Sequence, residues 1–136
     1  MKSFAFFTVR GPPVAWARAR KHGKTHFKAP KPRAHETYIA WQAKRAMNGA
    51  PPVKGPVHVT VQAVVPIPSS WSATKKLAAV GQALLPISRP DVDHYAKLAM
   101  DAMNKLVYAD DAQVVRLTID KVYGLEPRTT ITVTEL

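Results

Sequence analysis

The stretch RPDVDHYAKLAMDAM, residues 89–103, combines a helical pattern with three aspartates. Apolar residues recur three and four positions apart and predict a helix over residues 94–106 with one buried side. That buried side is expected to consist of Tyr95, Leu98, Ala99, Ala102 and Leu106. Pro90 favours extended backbone in the residue before it, so we expect an extended segment leading to Asp93, the predicted N-cap. Asp91 and Asp93 would then point to the same side.

Strands are predicted on both sides of this helix. Before it, residues 56–68 alternate valine with polar residues, which is typical of a half-buried strand. After it, residues 113–124 and 129–136 alternate in the same way and are separated by a short turn. Residues 3–9 are β-branched and aromatic and are followed by Gly-Pro-Pro, which predicts one more strand.

The remaining segments complete the predicted fold. Residues 11–33 are predicted to be a basic loop, residues 35–47 a helix, and residues 69–90 a short serine-capped helix followed by an irregular connector. The order is β-α-β-(α)-α-β-β. This order predicts an α+β fold with two layers, in which helices pack on one side of a mixed four-stranded sheet. A length of 136 residues fits a single domain spanning residues 1–136.

Composition restricts the class of protein. The chain has no cysteine, which excludes disulfides and thiolate metal sites. Its N-terminal apolar run is too short for a signal peptide, and no apolar stretch approaches the roughly 18 residues that a membrane helix needs. We therefore expect a soluble cytoplasmic protein. The formal net charge of +11 indicates a polyanionic partner or a surface kept basic for solubility.

The distribution of the basic residues favours DNA as the partner. Residues 10–33 hold eight lysines and arginines and no acid, and such clustering is typical of a phosphate-binding surface. The alternative is a solvated flexible loop. The candidate DNA-binding residues are Arg18, Arg20, Lys21, Lys24, Lys28, Arg33 and Arg89.

The acidic residues are clustered as well. Five of the nine acids lie between Asp91 and Asp111. If the strand at 113–124 packs beside the start of the helix, Asp111 can meet Asp91 and Asp93, and converging carboxylates are explained by a hard cation such as Mg²⁺ between them. Lys97 would then stabilise negative charge that develops during cleavage. The supporting residues would be Asp101, Asp110 and His94. His94 has three interpretations, a ligand, a phosphate contact or a surface residue, and its sequence context favours the last two.

Each of these residues also has a purely structural interpretation. Asp93 alone is more often a helix cap than a ligand. Lys97 and Asp101, four apart on a helix, are more often a surface ion pair. Asp110 and Asp111 alone most often form a turn. Spacing alone therefore leaves the metal site open.

Two motifs in this region resemble the RusA family of Holliday junction resolvases, which are common in phages and prophages. The family has an Asp-x-Asp-Asn-x-x-Lys-x-x-x-Asp-Ala segment followed by an Asp-Asp-x-Gln-Val segment. The matching residues are Asp91, Asp93, Lys97, Asp101, Ala102, Asp110, Asp111, Gln113 and Val114. The segment PIPSSWSATKK, residues 66–76, also resembles the connector of phage members, and the strand order agrees over nearly the full length.

The resemblance implies a small homodimeric endonuclease, bacterial or phage-encoded and associated with the nucleoid. It would use Mg²⁺ or Mn²⁺ to cut four-way DNA junctions by paired symmetric nicks in recombination and repair. Asp91, Asp93 and Asp111 would hold the metal, and Lys97 would assist the chemistry. His94 stands where the family usually has Asn.

Two alternatives remain from the sequence. One is a non-catalytic DNA- or RNA-binding module, such as a degenerate prophage remnant. A pure binder, however, gains nothing from gathering acids near an anionic ligand. The other is a nuclease for different branched or flap DNA, which would use the same chemistry. For the expected homodimer, the apolar surfaces around Trp41 and Trp71 are candidate interfaces.

Overall fold

A computed structural model describes residues 2–17, 20–22, 25–27 and 30–136, with side chains for residues 4–17 and 31–136. It contains six strands, three α-helices and one 3₁₀ turn. In chain order these are β1 (Lys2–Arg10), β2 (Arg20–His22), β3 (Thr25–Phe27), α1 (Pro30–Met47), β4 (Val57–Pro66), α2 (Ala73–Val80), α3 (Val92–Met103), the 3₁₀ turn (Asp111–Gln113), β5 (Val114–Gly124) and β6 (Arg128–Glu135).

The main sheet has four strands in the order β1-β6-β4-β5. The pairs β1–β6 and β6–β4 are antiparallel, whereas β4 and β5 are parallel, so the predicted mixed four-stranded sheet is confirmed. A parallel pair needs a long crossover connection, and here the crossover between β4 and β5 carries α2 and α3. The α+β class and the predicted order of elements are therefore correct.

The core lies between this sheet and the helices α1 and α3. From Val57 to Ala63, every second residue of β4 is buried, as its period-two pattern predicts. On α3, the predicted buried side is confirmed for Tyr95, Leu98, Ala99 and Ala102, while Leu106 lies beyond the helix and is partly buried. The short helix α2 also follows its prediction, because Ser72 caps it by accepting a hydrogen bond from the Lys75 amide at 3.2 Å.

Two boundaries differ from the sequence prediction. The segment 11–33, predicted to be a loop, contains the hairpin β2–β3, and α1 begins at Pro30 rather than at residue 35. Prolines fit the first turn of a helix because the backbone amides there have no partner within the helix. The helix α3 begins at Val92, so Asp91 rather than Asp93 occupies its N-cap position. Pro90 keeps Arg89 out of helical backbone but does not restrict Val92.

None of the helices in the described parts of the chain has the length and apolar character required to cross a bilayer.

Candidate metal centre

Two carboxylates and one imidazole meet at the start of α3. Asp91, Asp93 and His94 each offer a ligand atom, and these atoms all lie within 4.8 Å of one another. Asp91 occupies the N-cap position with extended backbone, yet its side chain makes no capping hydrogen bond. Its oxygens therefore remain available for a ligand. Asp93 and His94 lie in the first turn, with His94 Nε2 4.0 Å from Asp93 Oδ2.

This set of donors fits a divalent cation. Carboxylate oxygens are the ligands that Mg²⁺ and Mn²⁺ prefer, and an imidazole nitrogen suits softer divalent ions. The three residues stay together because Asp91 is the N-cap of α3 and Asp93 and His94 belong to its first turn. Asp91 and Asp93 therefore come together within a helix start, rather than along the extended segment that the sequence suggested.

The start of α3 is tied to β5 by a lysine. Lys121 Nζ donates to the carbonyl oxygens of Ser88 at 2.7 Å and of Pro90 at 3.0 Å. The second acceptor is the residue directly before Asp91. A strand in the sheet thus fixes the segment that presents the first ligand.

A tryptophan supports the other side of the same turn. The Trp16 amide donates to the His94 carbonyl at 2.9 Å, and the indole packs against the imidazole with ring centroids 5.7 Å apart. The Lys97 ammonium lies 5.2 Å from the centroid of the Trp16 ring. Trp16 therefore contacts both a candidate ligand and the candidate catalytic lysine.

Lys97 lies one turn further along α3. Its Nζ is 3.7 Å from Asp101 Oδ2, so the ion pair expected from the four-residue spacing is present. One side of the helix carries a row of polar residues, because residues three and four apart are neighbours on a helix surface. The row runs from Asp93 and His94 through Lys97 to Asp101.

Asp111 lies near the far end of this row. Its backbone amide donates to Asn104 Oδ1 at 3.1 Å. Its Oδ1 is buried and has no hydrogen-bond partner. Burial raises the pKa of this carboxyl. A hydrogen bond with Tyr108 opposes that effect, Asp101 and Asp110 raise the pKa further, and Lys97 lowers it. A buried carboxylate oxygen without a donor is costly, and a nearby cation would offset that cost.

Gln113 holds the turn that presents Asp111. Its side-chain oxygen accepts from the Asp110 amide at 2.8 Å, and its side-chain amide donates to the carbonyls of Val53 at 2.8 Å and Gly55 at 2.9 Å. One amide side chain thus joins the Asp110–Asp111 turn to the segment leading into β4. This contact explains why glutamine accompanies the paired aspartates in this chain.

The structure therefore divides the predicted acids into two groups. Asp91 and Asp93 group with His94, for which the sequence favoured a phosphate contact or a surface position over a ligand. Asp111 is not part of that group of ligand atoms and instead lies in the electrostatic environment of Lys97 and Asp101. Its assignment as a metal ligand stays a prediction.

Several supporting residues could not be found from the sequence. Trp16, Tyr108, Asn104 and Lys121 reach the site only through tertiary contacts, and no motif or spacing marks them.

The predicted DNA-binding residues are only partly described. Arg89 is exposed and lines a cleft of about 520 Å³ together with Asp91 and His94. Arg33 is exposed on α1. Arg18, Lys24 and Lys28 lie outside the described residues, as do the side chains of Arg20 and Lys21, whose backbone forms part of β2.

Comparison with known proteins gives two matches. The family model described as "Endodeoxyribonuclease RusA" matches residues 10–134. "Uncharacterized protein YqaN" of Bacillus subtilis (strain 168) is 38% identical over 136 aligned residues, which cover 96% of this chain and 95% of that protein. Both matches include the whole of α3, the 3₁₀ turn and β5.

Proposed function

Because the chain belongs to the RusA family of endodeoxyribonucleases, we propose that it is a metal-dependent nuclease that resolves four-way DNA junctions by paired symmetric cuts. The observation that carries this proposal is the group formed by Asp91, Asp93 and His94, two of which line the same cleft as Arg89. In a chain with a net charge of +11, a cleft that carries both Arg89 and the acidic group would bring a DNA phosphate close to a bound cation.

Asp91 and Asp93 would hold a divalent cation, with Mg²⁺ or Mn²⁺ as the candidates. His94 would supply a third donor, and Asp111 a further one. The free buried oxygen of Asp111 and its raised pKa support a role for that residue in cation binding. When bound, the cation would supply Lewis-acid polarisation of the scissile phosphodiester.

The remaining residues act on the substrate. Arg89 is exposed at the edge of the cleft, and its guanidinium would bind a phosphate through two parallel hydrogen bonds. Lys97 is close to the ligand group but is not part of it, so its ammonium would stabilise negative charge that develops on the phosphate. Asp101, which pairs with Lys97, would orient that ammonium, and Trp16 would limit its movement from the other side.

A homodimer follows from the shape of the substrate. A four-way junction is approximately two-fold symmetric, and two matched cuts require two active sites related in the same way. The alternative, a binding module without catalysis, gives no reason for the missing capping bond of Asp91 or the unpartnered buried oxygen of Asp111.

The test is cleavage of labelled DNA by the purified protein. Four-way junctions, three-strand flaps, linear duplex and single strands would each be incubated with Mg²⁺, Mn²⁺, Ca²⁺ or EDTA. We expect symmetric nicks in the junction with Mg²⁺ or Mn²⁺, and binding with little cleavage in Ca²⁺, which is larger and less demanding of octahedral geometry.

Two outcomes would contradict the proposal. Tight junction binding without cleavage under every ion condition would favour the binding module. Cleavage of flaps in preference to junctions would retain the nuclease chemistry but overturn the proposed substrate.

A further inference from the structure

The strand β5 leaves apolar side chains uncovered at the end of the sheet. Val59 and Val61 of β4 are buried in the core, and the parallel register places Leu117 and Ile119 beside them on the same side. Ile119 packs against the core, but Leu117 is 42% exposed and Val115 is 64% exposed. The helices therefore leave Val115 and Leu117 of β5 partly uncovered.

The backbone of β5 is also available for pairing. β5 is the last strand in the sheet order, with β4 as its neighbour, and its register with β4 runs without interruption from Arg116 to Gly124. Both edge strands have one register shift near an end, β1 between Ser3 and Ala5, and β5 at its start, opposite Val57 and His58 of β4. From Arg116 onward the edge of β5 is long and regular, and such an edge favours pairing with a second strand.

The charged residues of β5 are self-complementary. Arg116, Thr118 and Asp120 alternate with the apolar residues, and so they occupy the other side of the strand. In the part of the chain that the structure describes, neither Arg116 nor Asp120 forms an ion pair. Arg116 and Asp120 each lie two residues from Thr118. In an antiparallel pair of two such strands, each arginine can therefore lie opposite the aspartate of the other strand.

We propose that β5 pairs antiparallel with β5 of a second copy of this chain, across a two-fold axis at Thr118. A two-fold axis perpendicular to the sheet leaves each face of the sheet on its own side, so residues opposite each other must share a face. The pairing is therefore centred on one residue, which lies opposite its own copy, rather than between two residues. Centring on Thr118 places Arg116 opposite the partner's Asp120 and Leu117 opposite the partner's Ile119. The result is one continuous sheet of eight strands.

This interface deepens the proposed function and rests on its homodimer. Lys121 binds the carbonyl of Pro90, and it lies three residues from Thr118. At about 3.3 Å per residue, the two candidate metal centres would be roughly 20 Å apart along the strands and on the same side of the continuous sheet. That arrangement suits two matched cuts on one junction.

Charge exchange tests the proposal without DNA or metal. Sedimentation velocity would be measured for the unmodified protein, for Arg116→Asp, for Asp120→Arg, and for an equal mixture of the two variants. We expect the unmodified protein to be a dimer and each single variant to dissociate at least about ten times more readily, because like charges then face each other directly. The mixture should form dimers again, since each variant supplies the charge that the other lacks.

Two controls separate this surface from others. Arg45→Asp makes the same charge change beside Trp41 on α1 and should leave the dimer intact. Circular dichroism should show that every variant is folded.

The outcomes are decisive. Single variants that remain dimeric, or a mixture that stays monomeric, would overturn the β5 interface. A dimer lost only with Arg45→Asp would move the interface to α1. If the unmodified protein is a monomer, both the homodimer and this interface fail, whereas the nuclease proposal is judged separately from the cleavage assay.

Discussion

At the scale of single residues, Asp111 combines a buried, unpartnered oxygen with a raised pKa. A carboxyl with a raised pKa in the folded protein contributes stability that is fully present below its ordinary pKa of 3.8 and is lost as the pH rises through the folded value. Asp111→Asn removes the buried charge that causes this loss. In EDTA at pH 7, we expect the variant to melt at a higher temperature than the unmodified protein, with the difference shrinking as the pH falls towards 3.8. Thermal melts at a series of pH values would measure it, and an equal or lower melting temperature at pH 7 would contradict it.

Asp91 and Asp93 permit a direct separation of cutting from binding. Asp91→Asn and Asp93→Asn each keep the size of the side chain but remove one negative charge from the ligand group. We expect junction cleavage to fall by orders of magnitude, while binding without metal is kept or tightened because the site repels phosphate less. Glu126→Gln, in the turn between β5 and β6, is the matched control and should cut normally. Normal cleavage by Asp91→Asn would remove the basis for the metal centre.

His94 is the residue through which this chain departs from the usual motif. An imidazole nitrogen favours Mn²⁺ and softer ions relative to Mg²⁺, more strongly than an amide oxygen does. His94→Asn should therefore lower the ratio of cleavage in Mn²⁺ to cleavage in Mg²⁺. Initial rates in matched series of the two ions would measure this ratio. An unchanged ratio would mean that His94 is not a ligand and that its place beside Asp93 is structural.

At the scale of elements, Lys121 couples β5 to the start of α3 through two carbonyl contacts. Lys121→Met keeps the length of the side chain but loses both hydrogen bonds, so the segment before Asp91 gains freedom. Residues that support metal ligands typically change affinity by about 10- to 100-fold, and we expect a loss of at least about tenfold in Mn²⁺ affinity. Calorimetric titration would measure it, with Lys76→Met on α2 as the control. A loss of stability without a loss of affinity would show that Lys121 serves the fold alone.

Most elements could be predicted from the sequence because their patterns are long enough to be read. The alternation in β4 persists from Val57 to Ala63, and the helical spacing in α3 persists over its 12 residues. The hairpin was missed because β2 and β3 have three residues each, which is too short for a period-two pattern. The start of α1 was missed because two prolines, normally signals of a loop, lie in its first turn.

The candidate site was less predictable than the fold. The aspartates could be found because they are close in sequence. The grouping of His94 with them depends on where the helix begins, which the sequence misplaced by two residues. The supports from Trp16 and Lys121 depend on how distant segments pack, and local sequence carries no signal of that.

At the scale of the whole molecule, the net charge of +11 should govern DNA binding. Each phosphate neutralised adds about 0.9 to the slope of log affinity against log salt. Replacing Arg18, Arg20 and Lys21 by alanine should weaken junction binding and reduce that slope by up to roughly two to three units. Binding isotherms at several salt concentrations would measure both. A slope that does not change would place the DNA surface elsewhere and leave residues 10–33 as a solvated segment.

The strand order has a consequence for translation. β1 is synthesised first of the six strands and β6 last, yet the two are neighbours, and β6 lies between β1 and β4. When a nascent chain has emerged only as far as β5, it lacks the strand that joins β1 to β4. The helix α1, which packs on β1, therefore cannot yet form the complete core. The sheet therefore stays unfinished until β6 has emerged from the ribosome, and the native arrangement of its strands forms only after β6 has been synthesised.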